Sequence, residues 1–337
     1  MIRTTGGRPY KVFVIAKQFD KSKFEKHKKE KEMKKIIFDT DIGGDCDDAG
    51  ALAIIHRAVL SGKAELLAVT VSTKDPWAPA CADAINRHYR HIVPIGLCEK
   101  APECDPTMAE FLERYGKHIA ENFENEYLPK PTECSLCGGV KYPEKAVSLM
   151  RRLLAENEKI TLVVVGSCVN LAALLSSEAD EYSPMNGIEL VKAKAAEVVL
   201  MGGYFGENST PEYNIKIDIP SARLVFEKCP VPVAVSHFAV GLQVFSGGRL
   251  VMEEPENPAA EAYRFHVGGK RHSWDPIAAF YAIYGCDGVF VDDRVGKITV
   301  ADDGMTLFEA CDGLHRLIDC PDIAAAEKRL DEAMCGC

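Results

Sequence analysis

Short apolar runs alternate with stretches of helical period along most of the chain. KKIIF, ELLAVTVS, ITLVVVGS, AAEVVLMGG and VPVAVS are near-continuous apolar runs of strand length. Between them, DDAGALAIIHRAVL, PACADAINRHYRHI, AVSLMRRLLAENE, NLAALLSSEA, SARLVFEKC and DPIAAFYAIYG place apolar residues at helical spacing. Strands apolar on both faces and separated by helices predict a mostly parallel sheet covered on both sides. Near the C-terminus, FVDDRVGKITVADDGMTLFEA alternates and is broken by Asp-Asp-Gly, which predicts an antiparallel hairpin. The expected class is therefore α/β, with an open, mostly parallel sheet flanked by helices and a C-terminal antiparallel hairpin.

Two stretches break this rhythm. The segment from Leu97 to Pro143 has no clear period and reads as an excursion over the active face. Lys21 to Lys35 is a run of mixed charge and reads as solvated. Residues 1–32 are expected to be a flexible or non-native N-terminal extension, and residues 33–337 a single domain. No repeat and no linker divides that domain.

Composition narrows the function classes. The chain has 337 residues, 47% of them hydrophobic, enough for a large core. Its net charge of -10 argues against a nucleic-acid surface. No run of 18 apolar residues exists, so no membrane span is expected. Thirteen cysteines, scattered and odd in number, read as buried free thiols in a reducing, cytoplasmic compartment. Cys134 and Cys137 have CxxC spacing, and with Cys98 and Cys104 a four-thiolate zinc site is conceivable; free thiols are the favoured reading.

The chemistry concentrates in IIFDTDIGGDCDDAGALAII, where Asp39, Asp41, Asp45, Asp47 and Asp48 fall within ten positions at a strand end. Carboxylates crowded there repel one another and lose water unless a cation neutralises them. Oxygen-only donors without histidine point to Ca²⁺ or Mg²⁺. Counting from Asp39, the twelfth position is Gly50 rather than Glu, so an EF-hand loop is excluded. FDTD also resembles the start of a phosphatase of the haloacid dehalogenase type, with Asp39 as nucleophile. A solvated acidic helix start would explain Asp47 and Asp48 but not Asp39 and Asp41.

The longer pattern decides among these. FDTDIGGDCDDAGALA resembles the signature of the inosine–uridine preferring nucleoside hydrolase family, DxDxxxDDxxAL, in a longer-loop variant. The resemblance continues through ELLAVTV, VVVGSCVNLAALL, VVLMGGYFGENSTPEYNIKIDIPSA and SWDPIAAFYA, covering roughly Lys34 to His315. It implies the nucleoside hydrolase fold, with a Rossmann-like core, and metal-dependent hydrolysis of ribonucleosides to ribose and free base. It assigns Ca²⁺ to Asp41, Asp48, Asp275 and the backbone carbonyl of Val169. Asp47, Asn208, Glu212 and Asn214 match ribose-holding positions, and Met201 is placed to pack on the sugar. Asp41 is the expected base that takes the water's proton.

Departures fall at the leaving group. Many relatives carry His before the late Asp, where this chain has Trp274; Trp274, and with it Trp77, is expected to stack on the base. His237 and His272 are read as solvated surface residues. Relatives often carry Asn near Lys74 or Asp75. Two alternatives stand beside nucleoside hydrolysis: hydrolysis of a related N-riboside, and a non-catalytic nucleoside- or ribose-binding protein on the same scaffold. The resemblance also implies a homodimer or homotetramer.

Overall fold

The computed structural model of the protein describes residues 33–100, 115–127 and 141–336. The expectation for residues 1–32 and the CxxC pair lie outside the described residues, as do Cys104 and much of the 97–143 excursion.

The described chain is built on a ten-stranded sheet. Its strands are β1 (Lys34–Thr40), β2 (Ala64–Val71), β3 (Ile95–Leu97), β4 (Glu144–Lys145), β5 (Ile160–Val164), β6 (Ala195–Met201) and β7 (Val233–Ser236). After a separate two-stranded ribbon, β8 (Phe245–Ser246) with β9 (Arg271–His272), come β10 (Val291–Val300), β11 (Thr306–Ala310) and β12 (His315–Asp319). The spatial order is β11-β10-β12-β7-β6-β5-β1-β2-β3-β4. All neighbours from β12 through β4 pair in parallel. β10 is antiparallel to both β11 and β12. The mostly parallel sheet and the antiparallel hairpin are thus as the sequence predicts.

Period-two alternation explains how both faces are covered. Ile36 and Phe38 of β1 point into one apolar cluster, with the helices Asp47–Leu60, Trp274–Tyr284 and Ile323–Cys335. Ile37 between them points into the other, with the helices Ala146–Glu156, Val169–Leu175 and Ile219–Lys228. Val199 and Val198 of β6 divide the same way.

Strand order locates the site. The chain starts in the middle of the sheet, fills β2, β3 and β4 on one side, then crosses to β5 on the other side of β1. β1 therefore stands at the switch point, where connections on either side diverge and leave a crevice at the carboxyl ends of the strands. The acidic loop leaves the carboxyl end of β1.

Several elements were not visible in the periodicity. The helix Pro258–Val267 is rich in alanine and polar residues, and HRLID, which becomes β12, is too short and charged to stand out. Among the nine described cysteines none is disulfide-bonded. No described helix is long and apolar enough to cross a membrane.

Candidate active site

β1 delivers the acidic loop into the interior. Asp39 and Thr40 are fully buried, and the loop turns at Gly43, whose φ of +117° is open to glycine. A Cβ at Gly43 would sit 3.3 Å from Asp75 Oδ2, and the Gly43 N–H donates to Tyr115 Oη at 3.0 Å. The turn brings Asp47 and Asp48 onto the first turn of the helix Asp47–Leu60, buried rather than solvated.

Partners then fix each carboxylate. Thr40 Oγ1 donates to Asp48. One oxygen of Asp47 accepts the backbone N–H of Trp274 at 3.1 Å and that of Asp275 at 3.0 Å. Asp45 is gripped by both prongs of Arg271, at 3.0 and 3.1 Å from Nε and 2.6 Å from one terminal nitrogen. Asp39 accepts from Thr70 Oγ1 at 2.5 Å and Asn170 Nδ2 at 2.7 Å, locking β1 to β2 and to the helix Val169–Leu175.

Asp45, Asp47 and Asp48, though not Asp39, line a cavity of about 270 Å³. Seven carboxylates line it against one basic side chain, Arg271. Carboxylate oxygens of Asp47, Asp48 and Asp275 lie within 4.8 Å of one another. Loss of water first, and mutual repulsion second, push the carboxyls of Asp47, Asp48 and Asp275 well above the usual range. Burial pushes Asp39 up to about 7, against its hydrogen bonds to Thr70 and Asn170. A buried, oxygen-only, uncompensated donor set is what a hard divalent cation requires.

The opposite wall is polar and rigid. Glu212 caps the turn Tyr213–Lys216, accepting from the N–H groups of Gly203, Asn214 and Ile215 at 3.1, 3.0 and 3.3 Å. Asn214 Nδ2 donates to Val165 O at 2.8 Å and touches Met201 Sδ at 3.1 Å. Aromatic groups close the remaining side. Trp274 stacks on Phe238 at 5.5 Å, donates from Nε1 to Phe238 O at 2.9 Å, and lies under the Arg271 guanidinium at 5.2 Å.

The structure thus brings Asp41, Asp47, Asp48, Met201, Glu212, Asn214, Trp274 and Asp275 to one cavity. It leaves three expected residues off the lining. Asn208 is exposed in a turn with φ of +63°, and Val169 opens the helix Val169–Leu175. Trp77 is also off the lining, under Lys117 at 5.6 Å. His237 is not the solvated residue expected: it is buried between Phe205 and Asp319, at 3.2 Å from the latter. His272 packs behind Trp274 and against Phe245, so neither histidine faces the cavity. Sequence reasoning missed Ser72, Tyr213, Phe238 and Arg271 on the lining. The Arg271–Asp45 pair spans 226 positions, which no local pattern reveals.

Solved nucleoside hydrolases share this fold. The inosine-uridine preferring nucleoside hydrolase of Bacillus anthracis superposes with a TM-score of 0.65, at 16% identity, over 90% of this chain and 100% of that one. An inosine-guanosine nucleoside hydrolase superposes at 0.63, with 18% identity, over 89% and 98%. The particular family follows from the sequence match: the model of the inosine-uridine preferring nucleoside hydrolases matches residues 36–326, and the chain belongs to that family. The pyrimidine-specific ribonucleoside hydrolase RihA of Escherichia coli (strain K12) is 28% identical over 229 residues. That match takes in 66% of this chain and 64% of the relative, slightly under two thirds of its length.

Proposed function

We propose that the protein is a metal-dependent hydrolase that cleaves the N-glycosidic bond of ribonucleosides, giving ribose and free base. The observation that carries this reading is the buried carboxylate set of Asp47, Asp48 and Asp275 facing Glu212 and Asn214 across one cavity, in a chain of this family. Asp41, Asp48 and Asp275, which line the cavity, would hold Ca²⁺. When bound, the cation supplies an acidified water and a grip on the ribose diol.

The chain's own residues do the rest. Asp41 accepts a proton from the attacking water. Asp47, Glu212 and Asn214 hold ribose hydroxyls; Asp47 and Glu212 are already fixed by backbone N–H groups, so they reach the sugar pre-oriented. Cleavage builds positive charge on the sugar, and the surrounding carboxylates stabilise it. Met201 packs on the ribose, while Phe238 and Trp274 form an apolar wall for the base. Asn208, exposed in its turn, is left out of this set. We take residues 33–337 as one domain that works as a cytoplasmic homo-oligomer. Release of free base and ribose from a ribonucleoside panel, with and without a Ca²⁺ chelator, tests the reading.

A further inference from the structure

Ser72 follows β2 and lines the cavity, yet its hydroxyl is buried and makes no hydrogen bond among the described residues. Its backbone is fully engaged: the N–H donates to Thr40 O at 2.9 Å and the carbonyl accepts from Ser167 Oγ at 3.4 Å. The side chain is the exception. A buried hydroxyl left without a partner is destabilising, and alanine would occupy the place without that cost.

The exit of β5 passes tightly over the same spot. A Cβ placed on Gly166 would lie 2.3 Å from Ser72 Oγ, 2.8 Å from the Asp41 backbone nitrogen and 3.1 Å from Asp41 Cβ. The ends of β1, β2 and β5 therefore converge on one point, with the Asp41 backbone and the Ser72 hydroxyl both close beside it. Only a residue without a side chain at position 166 leaves them this close.

We propose that Ser72 Oγ holds the attacking water beside Asp41, an assignment that rests on the hydrolase reading above. A serine hydroxyl accepts and donates at once, so it takes a hydrogen bond from one water proton while Asp41 takes the other. The water's free lone pair is then aimed at C1′ of the ribose. The water oxygen bonds to C1′, and the C1′–N bond breaks with its electron pair on the base. One water proton passes to Asp41, and the base gains a proton from solvent. Ser72 gains and loses nothing; it fixes the direction of attack.

The test compares the full-length chain with Ser72→Ala and Ser72→Val, each loaded with Ca²⁺. Four quantities are read: kcat, KM, Ca²⁺ affinity by calorimetry, and the ratio of methyl riboside to ribose formed in aqueous methanol. The expected result is a fall in kcat of about tenfold to a hundredfold, with KM and Ca²⁺ affinity within about threefold of wild type. The ratio should move towards methyl riboside in Ser72→Ala, where the removed oxygen leaves room for a methyl group. Wild-type kcat in both variants overturns the assignment. A KM raised by more than about threefold with an unchanged product ratio also overturns it, by giving the hydroxyl to the sugar. Loss of Ca²⁺ binding overturns it by showing a structural role. An active wild-type enzyme keeps each of these outcomes separate from the hydrolase reading, whereas an inactive one overturns that reading and this assignment with it.

Discussion

One carboxylate oxygen of Asp47 accepts the backbone N–H of Asp275 at 3.0 Å and that of Trp274 at 3.1 Å. The bond joins the first turns of two helices, Asp47–Leu60 and Trp274–Tyr284, whose N-terminal dipoles both favour the negative charge. It also sets Asp275 against Asp48, so the spacing of the carboxylate cluster depends on it.

Asp47 therefore carries a structural duty and, in the proposed function, a substrate-binding one, and substitution separates the two. Asp47→Ala strands two buried N–H donors and should cost about 1–3 kcal/mol in urea unfolding as well as activity. Asp47→Asn keeps an acceptor for both donors. It should stay within about 1 kcal/mol of wild type in stability while kcat/KM falls at least about a hundredfold.

Cation removal has a signed pH dependence. Asp39, raised to about 7, lies above the carboxyl of the unfolded chain at 3.8. A raised carboxyl contributes stability at acid pH that is lost as pH rises through the folded value. The Asp47, Asp48 and Asp275 carboxyls, also raised, act in the same direction. The chelated protein should thus lose stability from Asp39 between about pH 4 and pH 7, with the other three carboxyls adding loss in the same direction as pH rises. In the proposed site Ca²⁺ would need Asp48 and Asp275 ionised, so its stabilisation of the fold should grow as pH rises. Thermal melts at stepped pH, with and without Ca²⁺, check the divergence.

His56 pulls the other way. It is fully buried, its Nε2 lies 2.8 Å from Asn86 Oδ1, and burial lowers its pKa from 6.5 to about 3. Between those values the unfolded chain binds more protons than the folded one, so stability falls as pH drops below 6.5, by up to about 1.4 kcal/mol per pH unit. His56→Gln should remove that slope. Urea unfolding at pH 7 and pH 5, compared with wild type, gives the difference directly.

Arg271 ties the acidic loop to the aromatic wall, gripping Asp45 and covering Trp274. The pair is partly exposed, so Arg271→Ala should cost under about 1 kcal/mol in stability. Its effect should fall on the cavity: KM should rise by about fivefold to tenfold as Trp274 loses its cover, and Arg271→Lys, lacking the fork, should not restore it. The chain has only two tryptophans, so emission from the Trp77→Phe background reports the change at Trp274.

Local signals carried the sheet and most of the acidic cluster. Apolar strand runs and the spacing of Asp41, Asp47 and Asp48 survive in any short window. Asp275, 227 positions beyond Asp48, entered the expected set only through the family resemblance of SWDPIAAFYA. What failed to show depends on contacts remote in sequence. Asp45 is distinguished from its acidic neighbours only by Arg271. His237 is buried beside Phe205 and beside Asp319 of β12, itself an inconspicuous strand. Ser72 and Phe238 are ordinary residues until the strand ends converge. Asn208 matched a pattern, yet the turn that holds it faces solvent.

The most direct test of the central claim measures free base and ribose from purine and pyrimidine ribonucleosides, using wild type and Asp41→Asn, each with Ca²⁺ and with chelator. The account predicts turnover by wild type, loss of it on chelation with recovery on adding Ca²⁺, and a folded Asp41→Asn variant with at least about a thousandfold lower kcat. Chelator-insensitive turnover, or an Asp41→Asn variant as active as wild type, would contradict it.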